Sequence, residues 1–431
     1  MGAAVDPTME ERAAGYHPGP WPGEDGGPAR RQAPRATVPT TLGPGVGLDV
    51  VSRAVIAPTM TVLRDPGEVF VLTHTLAMVA GPDGVTAVVE RIDPHTLEPV
   101  VSSPELPAGP MWPGGLLAHA DGSLYVTFGR WCHRLSADCE VLAARELPVD
   151  RPYNSLLALD DGTLVMKDFV ADGSASSRLI ALAPGDLAVL DELELPEGSI
   201  ARLSAVGSTI VVVGDHTLVR VLWDGTRLVL DEGWATRYRT EPGQSFGWDA
   251  VVVDGSVWFL DDGAGTEGYI GTLRGVGSNE APLRLWRVPW DGAPATSVEV
   301  CGLPGGIVAN PPLVDPARRV AVGYDSGNGV IAAWRYGAPG DDLEPLWRFD
   351  QDQAGHMLLL PGEGGRGALV SYDHDATLGE HVVVRDVETG EEWARVAIDS
   401  PMQSVLFPSV GWEGDLYVST FSTLARVSVA G

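Results

Sequence analysis

From about Gly47 to the end of the chain, apolar runs of five to eight residues alternate with Asp-Gly, Pro-Gly and Gly-Gly pairs. Runs this short, rich in Val, Leu, Tyr and Trp and bounded by turn residues, predict β-strands joined by tight hairpins. No segment carries a helical period. The runs recur as a unit. One copy reads GGLLAHADG, SLYVTFGR, WCHRLSAD, EVLAARELP, and the next NSLLALDDG, TLVMKDF, SRLIALAPG, AVLDELELP. A third reads HMLLLPGEG, GALVSYDHD, EHVVVRDVETG, EEWARVAID. Each unit gives four strands, and units of roughly 40–50 residues predict the blades of a β-propeller.

The expected fold is therefore all-β, a propeller of about eight four-stranded blades, with seven as the alternative count. Blade limits fall near 61–108, 109–150, 151–197, 198–243, 244–303, 304–350 and 351–400. The last unit, from Pro401, shows only three strands. The run VVSRAVIAP near the start supplies the fourth, so the ring closes by an N-terminal strand joining the C-terminal blade and leaves no open edge. Residues 1–43, rich in Pro, Gly and Ala without apolar period, are expected to be a disordered leader before a single propeller domain over 44–431.

The segment VVRDVETGEEW, with Asp386, Thr389, Gly390 and Trp393, resembles the turn repeated in quinoprotein-dehydrogenase-like propellers. The likeness is one of architecture and identifies no enzyme family. The tryptophan comes one place early, and the adjacent cysteine pair, export signal and docking tryptophans of that family are missing. The resemblance therefore implies the fold and carries over neither quinone nor catalytic residue.

Charge narrows the partners. With 58 acidic against 29 basic residues the net charge is −29, which disfavours nucleic acid and anionic membrane surfaces. No run approaches a membrane span. Three sparse cysteines, Cys132, Cys139 and Cys301, read as reduced thiols of a cytoplasmic protein. Lys167 is the single lysine of the chain.

Candidate chemistry follows from the blade register. The start of each first strand and the end of each second strand share one face, because neighbouring strands run antiparallel. First-strand starts supply Trp112, Tyr153, Asn154, Trp248, Asn310, His356 and Gln403; second-strand ends supply Lys167, Asp168, Asp325, Asp373 and His374. The expectation is a small-molecule enzyme working at the channel mouth by proton transfer without a redox cofactor: a lyase, isomerase, cyclase or hydrolase. Lys167 and His356 would carry protons, with Asp168 and Asp373 setting their charge. Asn154, Asn310, Gln403, Asp325 and His374 would bind polar parts of the substrate, and Trp112, Tyr153 and Trp248 would stack on it. No cofactor is expected. A divalent ion is permitted by the acidic ends, with Tyr372 to Asp375 and His381 the densest cluster, though no spacing matches a metal loop. Two alternatives stay open: a protein-interaction scaffold, and a metal-dependent lactonase-like hydrolase. Two insertions, GWATRYRTEPGQS and GAGTEGYIGTLRGVGSNEAP, are long enough to form a lid or a surface excursion.

Overall fold

Eight separate antiparallel sheets account for the alternating pattern in the computed structural model, which describes residues 13–39, 42–76, 79, 81, 84–109, 113–170, 173–265, 271–405 and 407–431. Each sheet has four strands in chain order, and the first carries a short extra edge segment, Leu106–Pro107. The eighth is completed by Leu48–Ala54, which pairs antiparallel with Thr423–Val429. The protein is thus an eight-bladed propeller with almost no helix among the described residues, closed by the N-terminal strand that the sequence pattern required.

Burial within a blade follows strand position. Second strands such as Thr209–Val213 (TIVVV) and Ser256–Leu260 (SVWFL) are buried at every residue, because neighbouring blades cover both faces of the sheet. Fourth strands such as Val141–Glu146 alternate between half-buried and exposed residues, as an outer strand with one wet face must. Tight turns follow the expected chemistry. Asp254 and Gly255, at φ 48° and 67°, join Val253 to its partner Ser256 in a two-residue loop that needs two left-handed residues.

Arginine and tryptophan tie neighbouring blades together. Arg220, on the third strand of blade 4, lies 4.4 Å from the ring centre of Trp234 and 4.8 Å from that of Trp290 in blade 5. One blade on, Arg287 sits 5.1 Å from Trp258 and 4.9 Å from Tyr336 in the same arrangement.

The leader departs from expectation. Residues 13–39 are not a disordered tail but pack across the lower face, where the first strands end. Trp21, Ala29, Arg30 and Gln32 are almost wholly buried. The backbone of Leu63 donates to Trp21 O, Ala118 to Pro22 O, Ala205 to Pro28 O, Val252 to Ala29 O and Leu359 to Gln32 O. Each of these is a single added bond at the end of an inner strand. A segment that meets five blades through scattered backbone bonds has no period to show, and its partners lie far away in sequence. Composition alone therefore read it as unable to order.

Candidate functional site

The 3₁₀ turn Glu24–Gly26 of the leader rises into the channel against the first strands of blades 8, 1 and 2. It brings two carboxylates to a buried network of opposite charges. Arg30 lies 3.0 Å from Glu24 and 2.8 Å from Asp25, and Arg202 lies 3.5 Å from Glu24. Asp249 accepts from the backbone of Arg202 at 2.6 Å and sits 3.8 Å from Arg30. His356 closes the circle, its Nδ1 2.7 Å from Asp25 and its ring 4.6 Å from that of Phe407. Burial works against the Asp25 carboxylate, but the charges of His356 and Arg30 and their hydrogen bonds outweigh it and hold its pKa below the usual range. At Asp249 burial wins over Arg30 and Arg202, and the pKa is raised.

Lys167 is reached from this network through Asn154 and the segment 199–202. Its amine, with no exposed surface, donates to Asn154 Oδ1 at 3.1 Å, Asp168 O at 3.1 Å and Ser199 O at 2.7 Å. Three acceptors match the three N–H groups of an ammonium. Burial opposes that charge more strongly than Asp168 and Asp249 support it, and pushes the pKa down to about 7. Asn154 in turn donates to Ile200 O. Together the two side chains staple blade 3 to the strand entering blade 4.

The other expected site residues are held in similar fashion. The carboxylate of Asp168 turns away from Lys167 and accepts from Arg151 Nε and the Arg178 backbone, both at 2.5 Å. Asp373 accepts from the Asp352 backbone at 2.8 Å and from Arg395 at 2.7 Å, so it sets the charge of neither Lys167 nor His356. Asn310 donates to Ala354 O in the next blade and accepts on its own backbone oxygen from Tyr324 at 3.0 Å. Asp325 holds Asn328 at 2.8 Å and the Cys301 thiol at 3.2 Å. His374 lies 3.4 Å from Pro401 O at the rim. Tyr153 is buried among Tyr16, Leu147 and Met166, with its hydroxyl on the Val149 backbone, and Trp248 is buried against Phe246. Neither ring faces an open mouth. Trp112 lies outside the described residues.

The described part of the second insertion, from residue 271 on, lies on the upper face, where Leu273 packs on Ile307 and Ala354 and its backbone donates to Gln403 Oε1 at 2.7 Å. Arg274 pins it further out, 2.5 Å from both Asp350 and Asp352. Gln403 therefore holds the insertion instead of a substrate, donating also to Asp352 O. Under the start of the insertion, burial raises Asp261 to about 6, and burial with the neighbouring Asp261 charge raises Asp262 to about 7.

The acidic run at Tyr372 to Asp375 with His381, the densest candidate for a divalent ion, does not converge. Asp375 caps its own turn through Thr377 and Leu378, and His381 contacts Gly379 O. Among the described residues, the donor atoms that do gather are those of Glu24, Asp25 and His356, within 4.8 Å of one another. The Arg30 guanidinium already supplies positive charge to both carboxylates. Glu24, Asp25 and Arg30 escaped the sequence reading because they lie in the leader. The only signal was an acidic pair, a tryptophan and two adjacent arginines within an otherwise featureless Pro/Gly stretch.

No protein-family model matches the chain, and no curated protein matches it in sequence. Solved structures do resemble it. A quinohemoprotein alcohol dehydrogenase from Pseudomonas putida HK5 is 11 % identical, with a TM-score of 0.61 over 100 % of this chain and 83 % of that one. A quinohemoprotein alcohol dehydrogenase from Comamonas testosteroni is 12 % identical, with 0.60 over 98 % and 82 %. BamB from Moraxella catarrhalis is 14 % identical, with 0.52 over 80 % and 94 %. At such identity the likeness is one of fold.

Proposed function

We propose that the chain is a binding propeller, a rigid platform that holds a ligand or partner and does not turn it over. The observation that carries this reading is the use to which the mouth residues are put. Lys167, Asn154 and Gln403 spend their hydrogen-bonding atoms on neighbouring blades or on the insertion, and Asn310 spends its amide nitrogen on the next blade. His356 spends its Nδ1 on the leader. Groups arranged for proton transfer need a place beside them for a reacting atom, and here backbone carbonyls, Asn154 and Asp25 fill those positions at the Lys167 amine and at His356 Nδ1. A cavity of about 710 Å³ lies on the opposite, lower face beside the leader.

A crystallographic fragment soak of the full chain tests the reading. Fragments are expected on the lower face. A fragment seated under the insertion, within hydrogen-bond reach of Lys167 or His356, would overturn it. A second reading, the proton-transfer enzyme, is favoured by one observation: burial brings the Lys167 amine to about 7, in the range suited to acid-base work.

A further inference from the structure

Between the outer strands of blades 3 and 4 the side wall of the ring opens into a slot of about 350 Å³. Its cause lies in the ladder of blade 4. Val219 pairs with Ala235 but Val221 with Leu230, so residues 231–234 stand off the strand Thr217–Trp223. The displaced turn is fixed in place: Asp231 accepts from Arg220 at 2.7 Å, and Trp234 is buried beside Trp290 of blade 5. Leu195, Val212, Val219, Leu230 and Ala235 line the space that this opens. At its lower end the Leu228 backbone donates to Asp191 of blade 3 at 2.7 Å. At its upper end Glu197 accepts from the His216 and Thr217 backbones at 3.0 and 2.7 Å. The slot is thus an apolar site held open by contacts at both ends, near the lower limit of small-molecule pockets, roughly 300–1,000 Å³.

We propose that this slot binds an organic monoamine with a flat or branched apolar body, its ammonium resting on Glu232. The slot shares no residue with the channel network or the lower-face cavity, so the assignment goes beyond the binding-propeller reading and stands without it. The carboxylates at the mouth are Glu197, Asp231 and Glu232. Glu197 is spent on the His216 and Thr217 backbones and Asp231 on Arg220. Glu232 is exposed and has no hydrogen-bond or ion-pair partner among the described residues. The apolar walls suit a hydrocarbon body, and an ammonium at the mouth gains both the Glu232 charge and the field of a chain at −29. Arg237 stands across from Thr217 at the upper end. A carboxylate would meet it only beside Glu197, which accepts from that same Thr217, and against the field of the whole chain.

The experiment is equilibrium dialysis of the full chain against 2-naphthylmethylamine, with 2-naphthylmethanol as the neutral isostere and 2-naphthoate as the anion. The amine is expected to bind about three- to fivefold more tightly than the alcohol, as one exposed ion pair allows, and naphthoate more weakly than either. Glu232→Gln should bring the amine to the affinity of the alcohol and leave the alcohol unchanged. Ala235→Trp fills the slot from an exposed lining position and should weaken amine and alcohol alike by at least about tenfold. Equal affinity for amine and alcohol, naphthoate bound as tightly as the amine, an amine preference that survives Glu232→Gln, undiminished binding by Ala235→Trp, or no retention of millimolar amine would each overturn the assignment. If the amine fails while soaked fragments still collect on the lower face, the slot assignment falls and the binding-propeller reading stands.

Discussion

Because Lys167 is the single lysine, an amine-reactive acyl ester has two kinds of target in the protein, Lys167 and the α-amine. Burial holds the Lys167 pKa at about 7, so at pH 8 roughly 90 % of it is free base, against about 0.4 % of an ordinary lysine. If solvent reached it, Lys167 would acylate about as fast as the α-amine, whose pKa lies near 8. The structure gives it no exposed surface and three hydrogen-bond partners, so reaction must wait for an opening of blade 3 or of the segment at Ser199. An opening that costs about 2.7 kcal/mol suppresses the rate about 100-fold. The assay is peptide mass spectrometry over a labelling time course, native and in denaturant. The expected result is native acylation of Lys167 at least about 100-fold slower than acylation of the same lysine in denaturant, each rate being normalised to that of the α-amine. Native labelling within tenfold of the α-amine would refute the sealed-mouth argument and restore the enzyme reading.

Two further perturbations test the packing on which these arguments rest. His133 is buried with neither ring nitrogen hydrogen-bonded, and burial pushes its pKa down to about 4. A histidine depressed on folding contributes stability that is fully present above the unfolded pKa near 6.5 and is lost as pH falls toward 4. The loss at pH 4.5 integrates to about 2.5 kcal/mol. His133→Leu should remove that component and cost little at pH 7.5, because no hydrogen bond is broken; equal acid sensitivity of both proteins in urea unfolding would contradict it. Arg30→Met leaves the Glu24 and Asp25 carboxylates short of a buried partner, at a cost of about 3–5 kcal/mol to leader docking. Limited trypsin digestion should then cut after Arg31 or Arg35 in the variant while sparing the parent. Unchanged protection would mean that the leader is held by its backbone bonds alone.

The repeat was legible because each blade is a local object. Hairpins such as Val253-Asp254-Gly255-Ser256 need only neighbours in sequence, so eight four-stranded units and the closing role of Leu48–Ala54 could be read from turn chemistry and strand count. The face shared by first-strand starts and second-strand ends was also legible: Tyr153 does bridge to Asp168, and the Asn154 backbone does donate to Lys167 O. The partners of those side chains were not. Whether Asn154 meets a substrate or Ile200 O depends on how closely the next blade approaches, and no residue of blade 3 encodes that distance.

Sequence by itself determined the architecture, because strand period and turn residues act over a few positions and repeat. It also determined the acidic character of the surface and the singularity of Lys167. Only the tertiary structure decided which polar groups are spent. Leader residues Glu24, Asp25 and Arg30 find their partners more than 170 positions away, at Arg202, Asp249 and His356, and the insertion finds Gln403 across the ring. Such contacts satisfy buried charge and close the channel from both sides. They arise from chain crossings that carry no period, which is why the ends of the channel were invisible until the ring was assembled.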